Sequence, residues 1–218
     1  MKVRSAGRRG AAANHNEWGR RIIPPPAAKG RGGILCRVYA RPGAPQRGVL
    51  LCGPLRLNCA LGRGGIARLK REGDGATPAS RYSLEGLIVR RDRLPGPATP
   101  VPARTMRPSD AWEEAPRSGN YNRLVHRHAA AAGDRLWRDD RLYDVVGVLG
   151  WNRRERASYR GSAIFLHLCR PDMGPTAGCI ALAPRDLKLL LERCGRRPVF
   201  AVADAPRKLQ RLTPLRPR

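Results

Sequence analysis

The chain has 218 residues, of which 43 are lysine or arginine and 17 are aspartate or glutamate, so its formal net charge is +26. This length suits one domain with unstructured ends. The sequence has no run of about 18 apolar residues, so no membrane-spanning helix is predicted. A charge this large favours polyanion partners. However, a nucleic-acid binder should also show a basic stripe with stacking aromatics or a known reading module, and the sequence has neither.

Residues 1–33 are basic and rich in glycine, alanine and proline. This composition cannot bury enough apolar surface to offset the entropy of ordering, so a disordered extension is predicted. It lacks the apolar segment of a secretory signal. Arg20 and Arg21 resemble a twin-arginine signal, but prolines at 24–26 occupy the place where hydrophobic residues are required.

The first half of the domain reads as β-structure. A strand is predicted over Ile34–Ala40, followed by a hairpin of residues 48–52 and 55–61 that turns at Gly53 and Pro54. A polar loop over residues 70–78 precedes another strand over Arg81–Val89.

Residues 91–134 carry six prolines in their first 26 positions and show no clear periodicity. A loop this long within a domain is usually a lid, a binding insertion or disorder. We hypothesise that Trp112, Tyr121 and Asn122 line a substrate cleft, and the alternative is that they anchor the loop to the core. His126 and His128 have no Cys or carboxylate partner at ligand spacing, so no metal site is predicted.

The second half alternates buried strands with short connections. Residues 142–149 form a near-continuous apolar run, typical of a central strand. Ser162–His167 and Ile180–Leu182 read as two more strands. A helix should begin at Pro184 with Leu187, Leu190, Leu191 and Cys194 on one face, and a last strand follows over residues 197–203. The tail over residues 204–218 is basic and predicted disordered.

This order of elements indicates a mainly β domain over residues 34–203. The predicted architecture is a β-rich mixed sandwich or capped barrel with one C-terminal α-helix. The core must be aliphatic, because aromatic residues make up 5 % of the sequence.

His167 and Cys179 stand at the ends of two predicted strands joined by a short loop, so their side chains can meet. This makes them a candidate nucleophile and base, because an imidazole can take the thiol proton and return it to a leaving amine. Gly178 permits a close backbone approach, and amides around it can face an oxyanion. The alternative is a satisfied core histidine beside a buried structural thiol.

The other cysteines, at 36, 52, 59, 169 and 194, lie in apolar strand or helix patterns. They are predicted to be buried free thiols, which favours a reducing compartment.

Two motifs resemble the L,D-transpeptidase catalytic domain family (YkuD-like). Thr176-Ala-Gly-Cys-Ile is similar to its [Ser/Thr]-x-Gly-Cys-[Ile/Val] core, which has a histidine upstream. Gly73-Asp-Gly-Ala-Thr-Pro resembles its Asp-Gly-x-Thr-Pro segment, which packs beside the active cleft. The chain departs from the pattern in its short His-to-Cys loop, in Ser80 where glycine is usual, and in Ala181 where arginine is usual. Arg170 is the candidate to replace that arginine.

The resemblance implies a peptidoglycan L,D-transpeptidase of a compact subgroup, acting on peptide stems in the periplasm or cell envelope. Cys179 would be the nucleophile, His167 the base, and Gly178 part of the oxyanion site. The predicted substrate contacts are Arg170, Thr176, Trp112, Tyr121 and Asn122. No metal or organic cofactor is implied. The alternatives are an L,D-carboxypeptidase that uses water as acceptor, and a non-catalytic basic protein that binds cell-wall polymer or nucleic acid.

Overall fold

The computed structural model describes residues 33–126 and 133–203, and the predictions for residues 1–32 and 204–218 lie outside them. In chain order the elements are β1 Leu35–Arg41, β2 Ala44–Cys52, β3 Leu55–Ala60, β4 Ile66–Ala67, β5 Thr77–Pro78, β6 Arg81–Val89, β7 Ala103–Thr105, β8 Asp110–Trp112, β9 Leu124–His126, β10 Asp134–Arg135, β11 Val145–Leu149, β12 Phe165–Leu168, β13 Ile180–Leu182, α1 Pro184–Arg193 and β14 Val199–Ala203. The mainly β class with one C-terminal helix is therefore confirmed for the described residues.

The main sheet closes on itself. Its strands follow the order β11-β12-β13-β3-β2-β1-β14-β6, and β6 also pairs with β11, which completes a barrel. β7 pairs with the second half of β6. Closure removes the free edges that an open sheet would expose.

Alternation along the strands divides the apolar residues between two clusters. Leu166 and Leu168 of β12 face the barrel interior, where Leu187, Leu190 and Leu191 of α1 also pack. Phe165 faces the opposite way, into a second cluster that contains Cys179. The predicted apolar face of the helix is confirmed, and it covers the barrel core.

Residues 91–134 are more regular than the sequence indicates. β8, β9 and β10 form a separate three-stranded antiparallel sheet, with Trp112 opposite both Leu124 and Asp134. Strands of two or three residues carry too little alternation to be recognised in a proline-rich sequence. This small sheet packs on the outer face of β12, because Trp112 and Phe165 make an edge-to-face contact with ring centroids 4.9 Å apart.

Candidate active site

The two predicted catalytic side chains lie on one face of adjacent strands. β12 and β13 are parallel, and His167 pairs with Ala181. Cys179 lies two residues before Ala181, so both side chains point out of the barrel on the same side.

The backbone on either side holds the Cys179 thiol. Its Sγ accepts a hydrogen bond from the Phe165 amide at 3.3 Å and donates one to the Ala163 carbonyl at 3.2 Å. The residue is 6 % exposed. Burial, the largest cause, raises the pKa of Cys179 to about 12, and the Asp134 and Glu114 carboxylates act in the same direction. The resting group is therefore a thiol.

The imidazole of His167 is held by a main-chain oxygen. Its Nδ1 lies 2.8 Å from the Leu168 carbonyl oxygen, so Nδ1 carries the proton and Nε2 remains an acceptor. Burial is the main reason that the pKa of His167 falls to about 4. The ring is neutral at pH 7 and can accept a proton.

A tyrosine links this imidazole to a carboxylate. The ring of Tyr143 contacts His167 edge-on at 5.2 Å, and its hydroxyl donates to Asp134 Oδ2 at 2.8 Å. Asp134 is partly enclosed, and burial raises its pKa. This contact could not be predicted from the sequence, because residues 134, 143 and 167 meet only through the packing of the small sheet on β12.

A second carboxylate, that of Glu114, lies near Cys179 and Asp134. Glu114 follows β8 by two residues, and its carboxylate acts electrostatically on Cys179. Burial raises the pKa of Glu114 to about 7, with contributions from Asp134 and Glu72. A thiol, an imidazole and acidic side chains thus occupy one region of a chain whose net charge is strongly positive.

Gly178 is required by space as well as by conformation. Its φ is +139°, and a Cβ added there would lie 2.9 Å from the Ala76 carbonyl oxygen. Its amide donates to Thr176 Oγ1 at 3.1 Å, so that donor is already used in this conformation. The Thr176 hydroxyl in turn donates to the Cys179 carbonyl at 2.7 Å. Thr176 thus fixes the turn that carries the thiol.

The two motifs that lie about a hundred residues apart meet at this turn. The amide of Gly62 donates to Thr77 Oγ1 at 2.9 Å, and Gly62 forms a bridge with Thr176. Asp74 holds the polar loop by accepting from the amides of Arg71 and Ala76 at 2.7 and 2.9 Å. This loop therefore packs beside the turn that carries Cys179.

Trp112, Tyr121 and Asn122 are each no more than 2 % exposed. The Asn122 side chain accepts from Trp112 Nε1 at 2.9 Å and from the Ala163 amide at 3.2 Å, and it donates to the Trp151 and Asn152 carbonyls. The Tyr121 hydroxyl donates to Glu72. These contacts favour the anchoring role over the substrate-contact role for all three.

Arg170 is exposed beyond the end of β12. The hydrogen bond with Arg138 is the main reason that the pKa of Asp140 is lowered, and Arg170 acts on Asp140 in the same direction. Two surface clefts, of about 440 and 590 Å³, are lined by neither Cys179 nor His167. Lys70 and Tyr159 line the first cleft, and Arg81 and Trp151 line the second.

A family model of the L,D-transpeptidase catalytic domain matches residues 49–200. The chain belongs to this family. The match begins within β2 and ends within β14, so it contains both motifs, Cys179 and His167. Comparison with curated proteins gives no match.

Members of the L,D-transpeptidase family are cysteine-dependent enzymes that act on peptidoglycan peptides. Within residues 33–126 and 133–203, no group of three or more His, Cys, Asp or Glu side chains is placed to hold a metal ion. In the same ranges, no helix has the length and apolarity needed to cross a bilayer.

Proposed function

We propose that the chain is a peptidoglycan L,D-transpeptidase that joins peptide stems through a thioester on Cys179. The observation that supports this proposal is the strand register, which places Cys179 and the backbone-oriented imidazole of His167 on the same outer face of the barrel. The scissile bond is the amide between the L-centre of a diamino acid and the terminal D-residue of a tetrapeptide stem.

The proton leaves sulfur as the new bond forms. A thiol with a pKa of about 12 beside an imidazole with a pKa of about 4 does not rest as an ion pair. His167 Nε2 therefore takes the proton while Sγ attacks the carbonyl carbon. The imidazolium returns that proton to the departing amine, which leaves a thioester.

In the second half of the reaction, an acceptor amine takes the acyl group from the thioester by the reverse sequence of proton transfers. The acceptor amine attacks the thioester carbonyl, His167 takes its proton, and the Cys179 sulfur leaves and is reprotonated. The product is an amide between two stems, so bonds and protons balance without a cofactor.

We assign the oxyanion to the amide of Cys179. Gly178 was the other predicted donor, and its amide faces the Thr176 hydroxyl instead. The small sheet covers the thiol, so we propose that β8 and Trp112 shift outward when a stem enters. Arg170 lies at the imidazole end, where it can bind a stem carboxylate.

The test is incubation of the protein with disaccharide-tetrapeptide, followed by mass analysis of the products. Cross-linked dimers that disappear in Cys179→Ala support the transpeptidase. Tripeptide without dimers selects the carboxypeptidase, in which water replaces the amine. Unchanged stems with strong, salt-sensitive polyanion binding in both proteins would favour the basic binding protein. Cys169→Ala is the matched control, because Cys169 is a partly buried thiol outside the site.

A further inference from the structure

Two buried cysteines face each other near one end of the barrel, away from Cys179. Cys36 of β1 and Cys52 of β2 are directly paired across the antiparallel strands. Their sulfur atoms are 2.9 Å apart. Non-bonded carbon atoms, which are smaller than sulfur, pack best at about 3.5–4.0 Å, so the two sulfurs are in unusually close contact.

The strand register already supplies the geometry of a cross-link. Directly opposite residues in an antiparallel pair have Cα atoms about 4.5 or 5.5 Å apart, depending on the type of pair. A disulfide needs Cα atoms about 4.4–6.8 Å apart. Bond formation therefore requires a small rotation of the two side chains and no movement of the strands.

The surroundings protect such a bond, and the two thiols already interact directly. Cys36 is fully buried and Cys52 is 3 % exposed. The Cys36 thiol donates its hydrogen bond to the Cys52 sulfur, which lowers the pKa of Cys52 and raises that of Cys36. Cys194, which follows the last residue of α1, acts electrostatically on Cys36 and is itself acted on by Cys52, so it is the competing partner.

We infer that Cys36 and Cys52 are a disulfide site that joins β1 to β2 when the chain folds in the presence of a disulfide oxidant. One of the two cysteines, as its thiolate, attacks the oxidant, which forms a mixed disulfide and releases one thiol. The other cysteine then loses its proton, attacks the first protein sulfur and expels the second thiol. Two protein thiols are oxidised and one oxidant disulfide is reduced. Because both sulfurs are buried in the finished barrel, the reaction belongs to folding, before β1 and α1 close over them.

The inference is independent of the proposed catalysis and changes one conclusion from the sequence. The five cysteines other than Cys179 favoured a reducing compartment when all five were counted as unpaired. A chain that pairs Cys36 with Cys52 and leaves Cys179 as a thiol is equally suited to an oxidising compartment.

The test is refolding of the full chain with a mixture of reduced and oxidised glutathione, followed by intact-mass measurement and non-reducing peptide mapping. The expected result is the loss of two hydrogens and one linked peptide pair that joins Cys36 to Cys52. The linked protein should melt about 5–10 °C higher than the same protein treated with a reductant under unfolding conditions, because the cross-link restricts the unfolded chain.

Variants separate this pair from its neighbours. Cys194→Ala and Cys59→Ala should keep the cross-link and the shift in melting temperature, and Cys52→Ala should lose both. The inference is overturned if the refolded wild-type chain keeps six free thiols, or if its linked peptides join Cys194 to either partner. The wild-type measurement decides the matter even if a variant does not fold.

Discussion

Carboxylates near the small sheet contribute to the electrostatics of Cys179. Burial is the main cause of the raised pKa of the thiol, and Glu114 acts in the same direction. Glu114 is itself half ionised near neutral pH, because burial raises its own pKa to about 7. We expect Glu114→Gln to lower the apparent pKa of Cys179, because one source of negative potential is removed. The midpoint of the pH dependence of the thiol alkylation rate should then shift to lower pH.

Glu155→Gln is the control for that experiment, since it removes the same charge from an exposed position. An equal shift in both variants would show that net charge, and not the placement of Glu114, sets the reactivity of the thiol.

A second prediction about a single residue concerns the space around Gly178. Alanine there would bring Cβ to 2.9 Å from a main-chain oxygen at a positive φ. We expect Gly178→Ala to reduce turnover at least about 100-fold, the loss typical when a reacting group is displaced by about 1 Å. Gly119→Ala, where an added Cβ has open space, should leave turnover unchanged. An active Gly178→Ala enzyme would contradict the proposed geometry of the turn.

At the scale of elements, one asparagine joins the small sheet to the loop before β12. Asn122 accepts from the Trp112 indole and the Ala163 amide, and Ala163 itself has a φ of +52°. We expect Asn122→Ala to lower the free energy of unfolding by about 2–4 kcal/mol, because two buried donors lose their acceptor.

Urea titration would measure that loss, and Asn120→Ala is the matched control because Asn120 is exposed in the same loop. A change below about 0.5 kcal/mol in Asn122→Ala would mean that the asparagine does not anchor the sheet.

Some secondary-structure elements could be predicted from the sequence and others could not. The hairpin at Gly53 and Pro54 and the helix from Pro184 were predictable, because turn residues and a 3.6-residue period act locally. The strand predicted over Ser162–His167 begins at Phe165, because Ala163 takes a left-handed conformation that alternation does not reveal. The carboxylates near Cys179 were not predictable, since β8 and β10 reach it through tertiary packing alone.

For the whole molecule, two buried groups give opposite dependences of stability on pH. The folded pKa of His167 lies below its usual 6.5, so between about pH 4 and 6.5 the unfolded chain binds more protons at this group and stability rises with pH. The folded pKa of Glu114 lies above its usual 4.5, so between about pH 4.5 and 7 the folded chain binds more protons there and stability falls with pH.

Removing one of these two groups should therefore leave the contribution of the other to the pH dependence of stability. Between pH 4.5 and 6.5, the free energy of unfolding should rise more steeply with pH in Glu114→Gln than in the wild type. In His167→Gln the slope should be more negative than in the wild type. Urea titrations at several pH values measure these slopes, and identical slopes in all three proteins would mean that neither group is buried as described.

The closed barrel is consistent with membership of the L,D-transpeptidase family. The proposal that remains to be tested is that the sulfur of Cys179 is the nucleophile. The most direct measurement is the intact mass of the protein after exposure to a carbapenem, with peptide mapping of the adduct. The account predicts one covalent adduct on Cys179, its absence in Cys179→Ala and its much slower formation in His167→Gln. An adduct that persists in Cys179→Ala, or that maps to another cysteine of the wild-type chain, would contradict it.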